Sequence, residues 1–138
     1  EFVQAESMPN VSRVLTFKLG ANGELPAVDW RPTVSFNPPE QTADAATIRE
    51  GYGLYQDICM GCHGLNAVSG MIIPDLRGSG WIHDVKGWNS VVMEGLFAKN
   101  GMAAFGEHIT GEESEAIRAY IIQQAWRGKK LQNEEAGP

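Results

Sequence analysis

Cysteine is scarce: two occur in the 138 residues, both inside the tetrapeptide Cys59-Met-Gly-Cys62. A framework of several disulfides and a four-cysteine zinc site are therefore excluded. Basic charge is also short, with 11 Lys and Arg against 17 Asp and Glu for a formal net charge of -6, and the longest basic run is Lys129-Lys130. Nothing here would neutralise a phosphate backbone, so nucleic acid is not an expected partner. No apolar stretch approaches the about 20 residues that cross a bilayer, so no membrane span is expected. The chain opens on Glu1-Phe2 with no charged, apolar leader. It reads as a mature or excised fragment of a soluble protein, in which a cleaved export signal would leave no trace.

What is there suits one compact domain with extensions, because 43% of the residues are hydrophobic and the 16 glycines and 7 prolines are scattered as turns. In Arg13-Val-Leu-Thr-Phe-Lys-Leu19, Leu15, Phe17 and Leu19 alternate with Thr16 and Lys18, which predicts a half-buried β-strand. A turn at Gly20-Ala-Asn-Gly23 follows, but no second alternating run does, so the strand's partners are expected outside this chain. Leu25 to Gln41 is proline-rich, including Pro38-Pro39, and reads as a semi-extended connector. From about Asp44 to Ile58 the positions Ile48, Gly51, Tyr52, Tyr55 and Ile58 recur at threes and fours, predicting a helix that runs into the cysteine motif. A shorter helix is expected from about Trp88 to Leu96, with Val91, Val92, Gly95 and Leu96 inward, before the breaker Asn100-Gly101. The last helix starts at the capping box Thr110-Gly-Glu-Glu113 and buries Ile117, Tyr120, Ile121 and Ala125. After Arg127 the sequence turns polar and reads as frayed. The expected division is residues 1–41 as strand and linker, 42–128 as the helical domain and 129–138 as a polar tail.

Cys59-Met-Gly-Cys-His63 has the spacing for two thioether bonds to a c-type haem, with His63 beneath the ring as an axial iron ligand. A redox dithiol would want a βαβ context that is missing, and zinc would want two further ligands at suitable spacing. Met60, Met71, Met93, Met102, His83 and His108 are the available sixth ligands. Met60 lies inside the attachment loop and cannot reach the far side of the ring. Met93 falls on a predicted helix face, where a thioether is more often core filler. Met102 is favoured because Asn100-Gly-Met-Ala-Ala-Phe-Gly106 is an interhelical loop whose glycines allow close approach to a bound group. For His83 and His108 a surface role is the better reading. Pro74, in Ile72-Ile-Pro-Asp-Leu76, is the candidate to present a carbonyl to the second imidazole nitrogen. Arg77 and Trp81 are candidates for a haem propionate, against the plainer reading of a surface arginine and a core tryptophan. With His63 and Met102 both bound, iron is six-coordinate and electron transfer is the expected role. An open distal position would instead mean a haem enzyme or gas sensor.

These features together, with Ile73-Pro-Asp-Leu76 and the terminal Glu115-Ala-Ile-Arg-Ala-Tyr120, resemble a class I cytochrome c over about residues 44 to 127. The resemblance implies an all-α fold wrapped around one haem, here with an N-terminal extension containing one β-strand. It also implies that the first and last helices cross at a small residue packed against aromatics, the parts of Gly51, Tyr55 and Tyr120. Arg13 to Leu19 followed by Glu24-Leu-Pro26 is similar to the last propeller strand and linker of quinohaemoprotein alcohol dehydrogenases. In that family a propeller holding pyrroloquinoline quinone (PQQ) and calcium oxidises alcohols, and a cytochrome domain takes the electrons singly. The likeness makes residues 1–41 the remnant of a preceding propeller, so no PQQ or calcium site is expected in this chain and the chain alone is not expected to be an enzyme. It further implies a PQQ dehydrogenase domain as electron donor, a soluble redox protein or a quinone-linked oxidase as acceptor, and a periplasmic location.

Overall fold

The computed structural model describes residues 34–69 and 73–135, together with residues 16, 18–20 and 22–24. Within them the regular structure is helical: α1 (Ala45–Ile58), α2 (Met60–His63), α3 (Val85–Val92) and α4 (Gly111–Glu135), joined by short 3₁₀ turns. Among the described residues there is no strand, and most of the strand expected at residues 13–19 lies outside them.

The Asp44 carboxylate starts α1 by accepting the amides of Thr47 at 2.8 Å and Ala46 at 3.0 Å. Those bonds hold its carboxyl below the usual carboxylate range. α1 packs chiefly on α4. The crossing is at Gly51, where an added Cβ would overlap the backbone carbonyl of Ala116. Around this point Tyr120 meets Tyr52 edge-on, with ring centroids 5.5 Å apart, and Tyr55 at 5.2 Å. The small residue between aromatics expected from the sequence is present.

The capping box of α4 closes in both directions, with Thr110 N–H donating to Glu113 Oε2 at 2.7 Å and Glu113 N–H to Thr110 Oγ1 at 3.1 Å. Ile117, Tyr120, Ile121, Ile122 and Ala125 then fill the core. The helix does not end near Arg127; it continues to Glu135. Residues 34–41 explain why. They run back along α4, so that Gln41 Nε2 donates to Ala119 O at 2.8 Å, Trp126 Nε1 to Pro39 O at 2.8 Å and Gln132 Nε2 to Val34 O at 3.4 Å. Gly128 lies against the Phe36 ring, which a larger residue would have to push aside.

α3 also differs from expectation. It begins earlier, because the Asp84 carboxylate caps it by accepting Gly87 N–H at 2.7 Å. It ends at Val92, since the chain turns at Gly95 with φ 74°. Leu96 consequently lies outside the helix and is exposed.

Replacing Gly51 by Ala would set a methyl group against backbone that cannot move independently of α4. We expect Gly51→Ala to cost at least about 3 kcal/mol, the upper end of overpacking penalties, read as a lowered midpoint of denaturant unfolding. Gly53→Ala, on the open face of the same helix, should be neutral or slightly stabilising.

Candidate functional site

One turn of α2 sets Cys59, Cys62 and His63 at spacings of three and four, which makes them neighbours on a helix surface. The chain then turns away at Gly64, whose φ of 73° and closeness to the Val68 carbonyl leave no room for a side chain. Asn66 and Ala67 follow with φ of 57° and 63°, a strained pair of non-glycine residues. Two tyrosines hold this loop. The fully buried Tyr55 donates its hydroxyl to Gly64 O at 2.7 Å, and Tyr120 reaches Asn66 Oδ1 at 3.4 Å.

His63 is 8% exposed, with Nδ1 3.1 Å from the carbonyl of Pro74. A carbonyl can only accept, so Nδ1 carries the proton and a neutral ring keeps its lone pair on Nε2. The imidazole borders an apolar cavity of about 380 Å³ that Cys59, Pro74, Trp81 and Met102 also line. Leu76, Trp88, Val91, Val92, Phe97 and Phe105 supply most of the remaining wall. Burial pushes the Cys59 thiol up to about 12, with Cys62 adding to the effect, whereas Cys62 is exposed and is not part of the wall.

The wall is anchored by polar contacts behind it. Trp88 Nε1 donates to both Ser114 O at 3.1 Å and Ser114 Oγ at 3.0 Å, fastening α3 to α4. The loop carrying Met102 is tied to α3 by Phe105 N–H to Val92 O at 2.8 Å and Gly106 N–H to Met93 O at 3.2 Å. Its own turn closes with Met102 N–H to Phe97 O at 3.3 Å. Arg118 Nη1 donates to Ile82 O at 2.6 Å, securing the 3₁₀ turn that presents Trp81.

Of the alternatives to Met102, Met60, Met93, His83 and His108 are not on the cavity wall, both histidines are exposed, and Met71 lies outside the described residues. The plainer reading of Arg77 and Trp81 is reversed: the arginine is 9% exposed and the tryptophan 41%. Arg77 is engaged by Asp75 and by the Phe36 ring, while Trp81 borders the cavity and meets Phe97 with centroids 5.8 Å apart. Among the described residues no group of three or more His, Cys, Asp or Glu side chains could hold a metal ion, so the zinc reading finds no ligand set there. Sequence reasoning missed Trp88, Phe97 and Phe105 as wall residues; their signal was an aromatic pattern flanking the methionine loop.

An apolar cavity bordered by an oriented imidazole, a thioether and a thiol fits a covalently held haem, which defines the class of protein. Residues 46–121 match the family described as cytochrome c oxidase, cbb3-type, subunit III, and the chain belongs to this cytochrome c family, whose cofactor is covalent haem c. It is 37% identical over 118 residues to the dehydrogenase subunit of the quinone alcohol dehydrogenase of Gluconobacter oxydans, a match covering 84% of this chain and 15% of the relative. Identity to quinohaemoprotein alcohol dehydrogenase ADH IIB of Pseudomonas putida is 32% over 127 residues, covering 91% and 18% respectively. The solved structure of ADHIIG from Pseudomonas putida HK5 superposes with a TM-score of 0.58 at 33% identity, over 78% of this chain and 15% of that one. The chain thus spans less than a fifth of the length of these relatives.

Burial pushes the Tyr120 phenol up to about 12, with Tyr52 adding to it, and raises Tyr55 as well. Unfolded tyrosine ionises near its ordinary value of 10.0, so above that pH the unfolded state binds fewer protons than the folded one. Stability should therefore be level from neutral pH to about pH 9 and decline from about pH 10 towards pH 12. Denaturant midpoints across this range test it, and the decline should be shallower in Tyr120→Phe.

Proposed function

We propose that this chain is the electron-carrying haem domain of a PQQ-dependent alcohol dehydrogenase exported to the periplasm. The observation that carries the reading is that His63, with Nδ1 committed to Pro74 O, shares one apolar cavity with Met102 and Cys59. Cys59 and Cys62 would form the two thioethers. His63 would ligate iron through Nε2, and the Met102 thioether would fill the sixth position. Bound in this way, haem supplies a one-electron Fe(III)/Fe(II) couple, which His/Met ligation and burial set at a raised potential.

The protein's part is to fix ligands and exclude water. Pro74 holds the imidazole in one tautomer and raises its basicity. Phe97, Phe105, Val91 and Val92 keep the cavity dry, and with Met102 as a ligand the group would have no open position for substrate. Trp81, partly exposed on the cavity border, forms part of the haem environment. Arg77 belongs to the same environment through the loop that carries Pro74. Alcohol oxidation, PQQ and calcium belong to the rest of the parent enzyme, with residues 1–41 leading from it and residues 42–128 forming the cytochrome domain. The donor is the PQQ dehydrogenase domain. The acceptor is a soluble redox protein or a quinone-linked oxidase.

The purified chain should be red and give a c-type pyridine haemochrome; a colourless, zinc-bearing product would overturn the assignment. The ferrous protein should resist carbon monoxide at neutral pH, whereas rapid binding would favour an open-site enzyme or gas sensor. Met102→Ala should keep the haem attached, bind carbon monoxide and lower the reduction potential. An unchanged spectrum and potential would remove Met102 from the ligand set.

A further inference from the structure

Phe36 precedes the first helix by nine positions, yet it is built into the helical body. One side of its ring faces α4, where a Cβ on Gly128 would come within 2.9–3.1 Å of three ring carbons. The Arg77 guanidinium carbon lies 4.9 Å from the ring centroid. Arg77 is buried, and a buried cation needs fixed partners. Besides the ring it has the Asp75 carboxylate, whose Oδ1 accepts Arg77 Nε at 3.0 Å and Arg77 N–H at 3.0 Å, and whose Oδ2 accepts Nη2 at 2.7 Å. Asp75 is thereby locked. Its amide shares a peptide plane with the carbonyl of Pro74, the group that accepts from His63 Nδ1 at 3.1 Å.

We propose that Phe36 is a positioning residue for His63, acting through Arg77 and Asp75 on the Pro74 carbonyl. The inference rests on His63 being the iron ligand, as argued above. Seating of residues 34–39 fixes the arginine, the arginine fixes the Asp75 carboxylate, and the carboxylate fixes the plane of the peptide that orients the imidazole. A well-aimed acceptor makes the imidazole a stronger donor and favours the ferric state. Loosening the ring's seat lets the acceptor swing, weakens that donation and raises the reduction potential. The segment by which the chain enters the helical body thus tunes the haem it leads to.

The test uses the full chain with haem attached and measures reduction potential by spectroelectrochemistry, the His63 ring resonances by proton NMR, and unfolding midpoints. Phe36→Ala should shift the ferric/ferrous equilibrium about threefold towards ferrous, a rise of ~28 mV at 59 mV per tenfold for one electron, and move the His63 resonances. Arg77→Lys, which keeps the charge but loses the fork, should do the same. The double variant should move the potential no further than the larger single change, as groups acting in series do. Phe36→Tyr should restore the original potential. Trp126→Phe, which loses the bond to Pro39 O but spares Arg77, should lower the unfolding midpoint and leave the potential unchanged.

Loaded, folded Phe36→Ala and Arg77→Lys proteins with the original potential and His63 resonances would overturn the proposal. So would a shift in Trp126→Phe equal to that in Phe36→Ala, since general loosening would then explain both. Should Phe36→Ala fail to fold, Phe36→Leu, which fills the seat but loses the ring over Arg77, takes its place beside Arg77→Lys with the same expected rise, and an unchanged potential in both overturns the proposal. Failure of the ligand assignment looks different: His63→Ala would then leave the haem spectrum as it was.

Discussion

At Gly51 the backbone of α1 comes down on the carbonyl of Ala116 with nothing between them. That approach fixes the position of α1 along α4 as well as its distance, because of the two glycines in α1 it is Gly51 that faces α4, while Gly53 faces open space. Tyr55 then falls against Tyr120, and both hydroxyls reach the loop that leaves His63. The turn bearing Cys59, Cys62 and His63 follows α1 directly and inherits its placement from the crossing. A shift of α1 by one residue would misplace the tyrosines, the loop and the imidazole together. The strain at Asn66 and Ala67 persists because the surrounding contacts over-determine it.

The other side of the cavity is organised differently. Between His63 and α3 the regular structure among the described residues is 3₁₀ turns, which do little to stabilise themselves. Buried cations do that work. Arg118 of α4 reaches the carbonyl of Ile82, and Arg77 gathers Asp75. Each guanidinium is itself paired with a carboxylate, Arg118 with Glu115 at 2.5 Å and Arg77 with Asp75 at 2.7 Å. Pairs of this kind add little net stability when buried but are costly to break, so they specify one path for a chain that has no helix to follow.

Much of this was legible in the sequence because it depends on local spacing. The periodicity of Ile48, Gly51, Tyr55 and Ile58 gave α1, the capping box gave the start of α4, and the pentapeptide at Cys59 gave the haem. Pro74 was likewise readable as a source of a carbonyl for His63. Two of the failures concern contacts distant in sequence. The end of α4 was misread because the polar run after Arg127 lacks a hydrophobic stripe, and its support comes from Val34, Phe36 and Pro39, nearly a hundred residues earlier. Arg77 and Trp81 exchanged their expected environments for the same reason: only the folded chain brings Phe36 over the arginine. The boundary of α3 was missed because Asp84 was not read as a cap.

The return of residues 34–41 along α4 has a topological corollary. Val34 and Gln132 are hydrogen-bonded to each other although 98 residues separate them, so the points where the chain enters and leaves the described body are adjacent. A unit with both ends on one side can be spliced into a surface loop of another protein across a small gap. In engineering terms the domain is a portable cassette, and the junctions to choose are those that keep Phe36 and Trp126 in their seats.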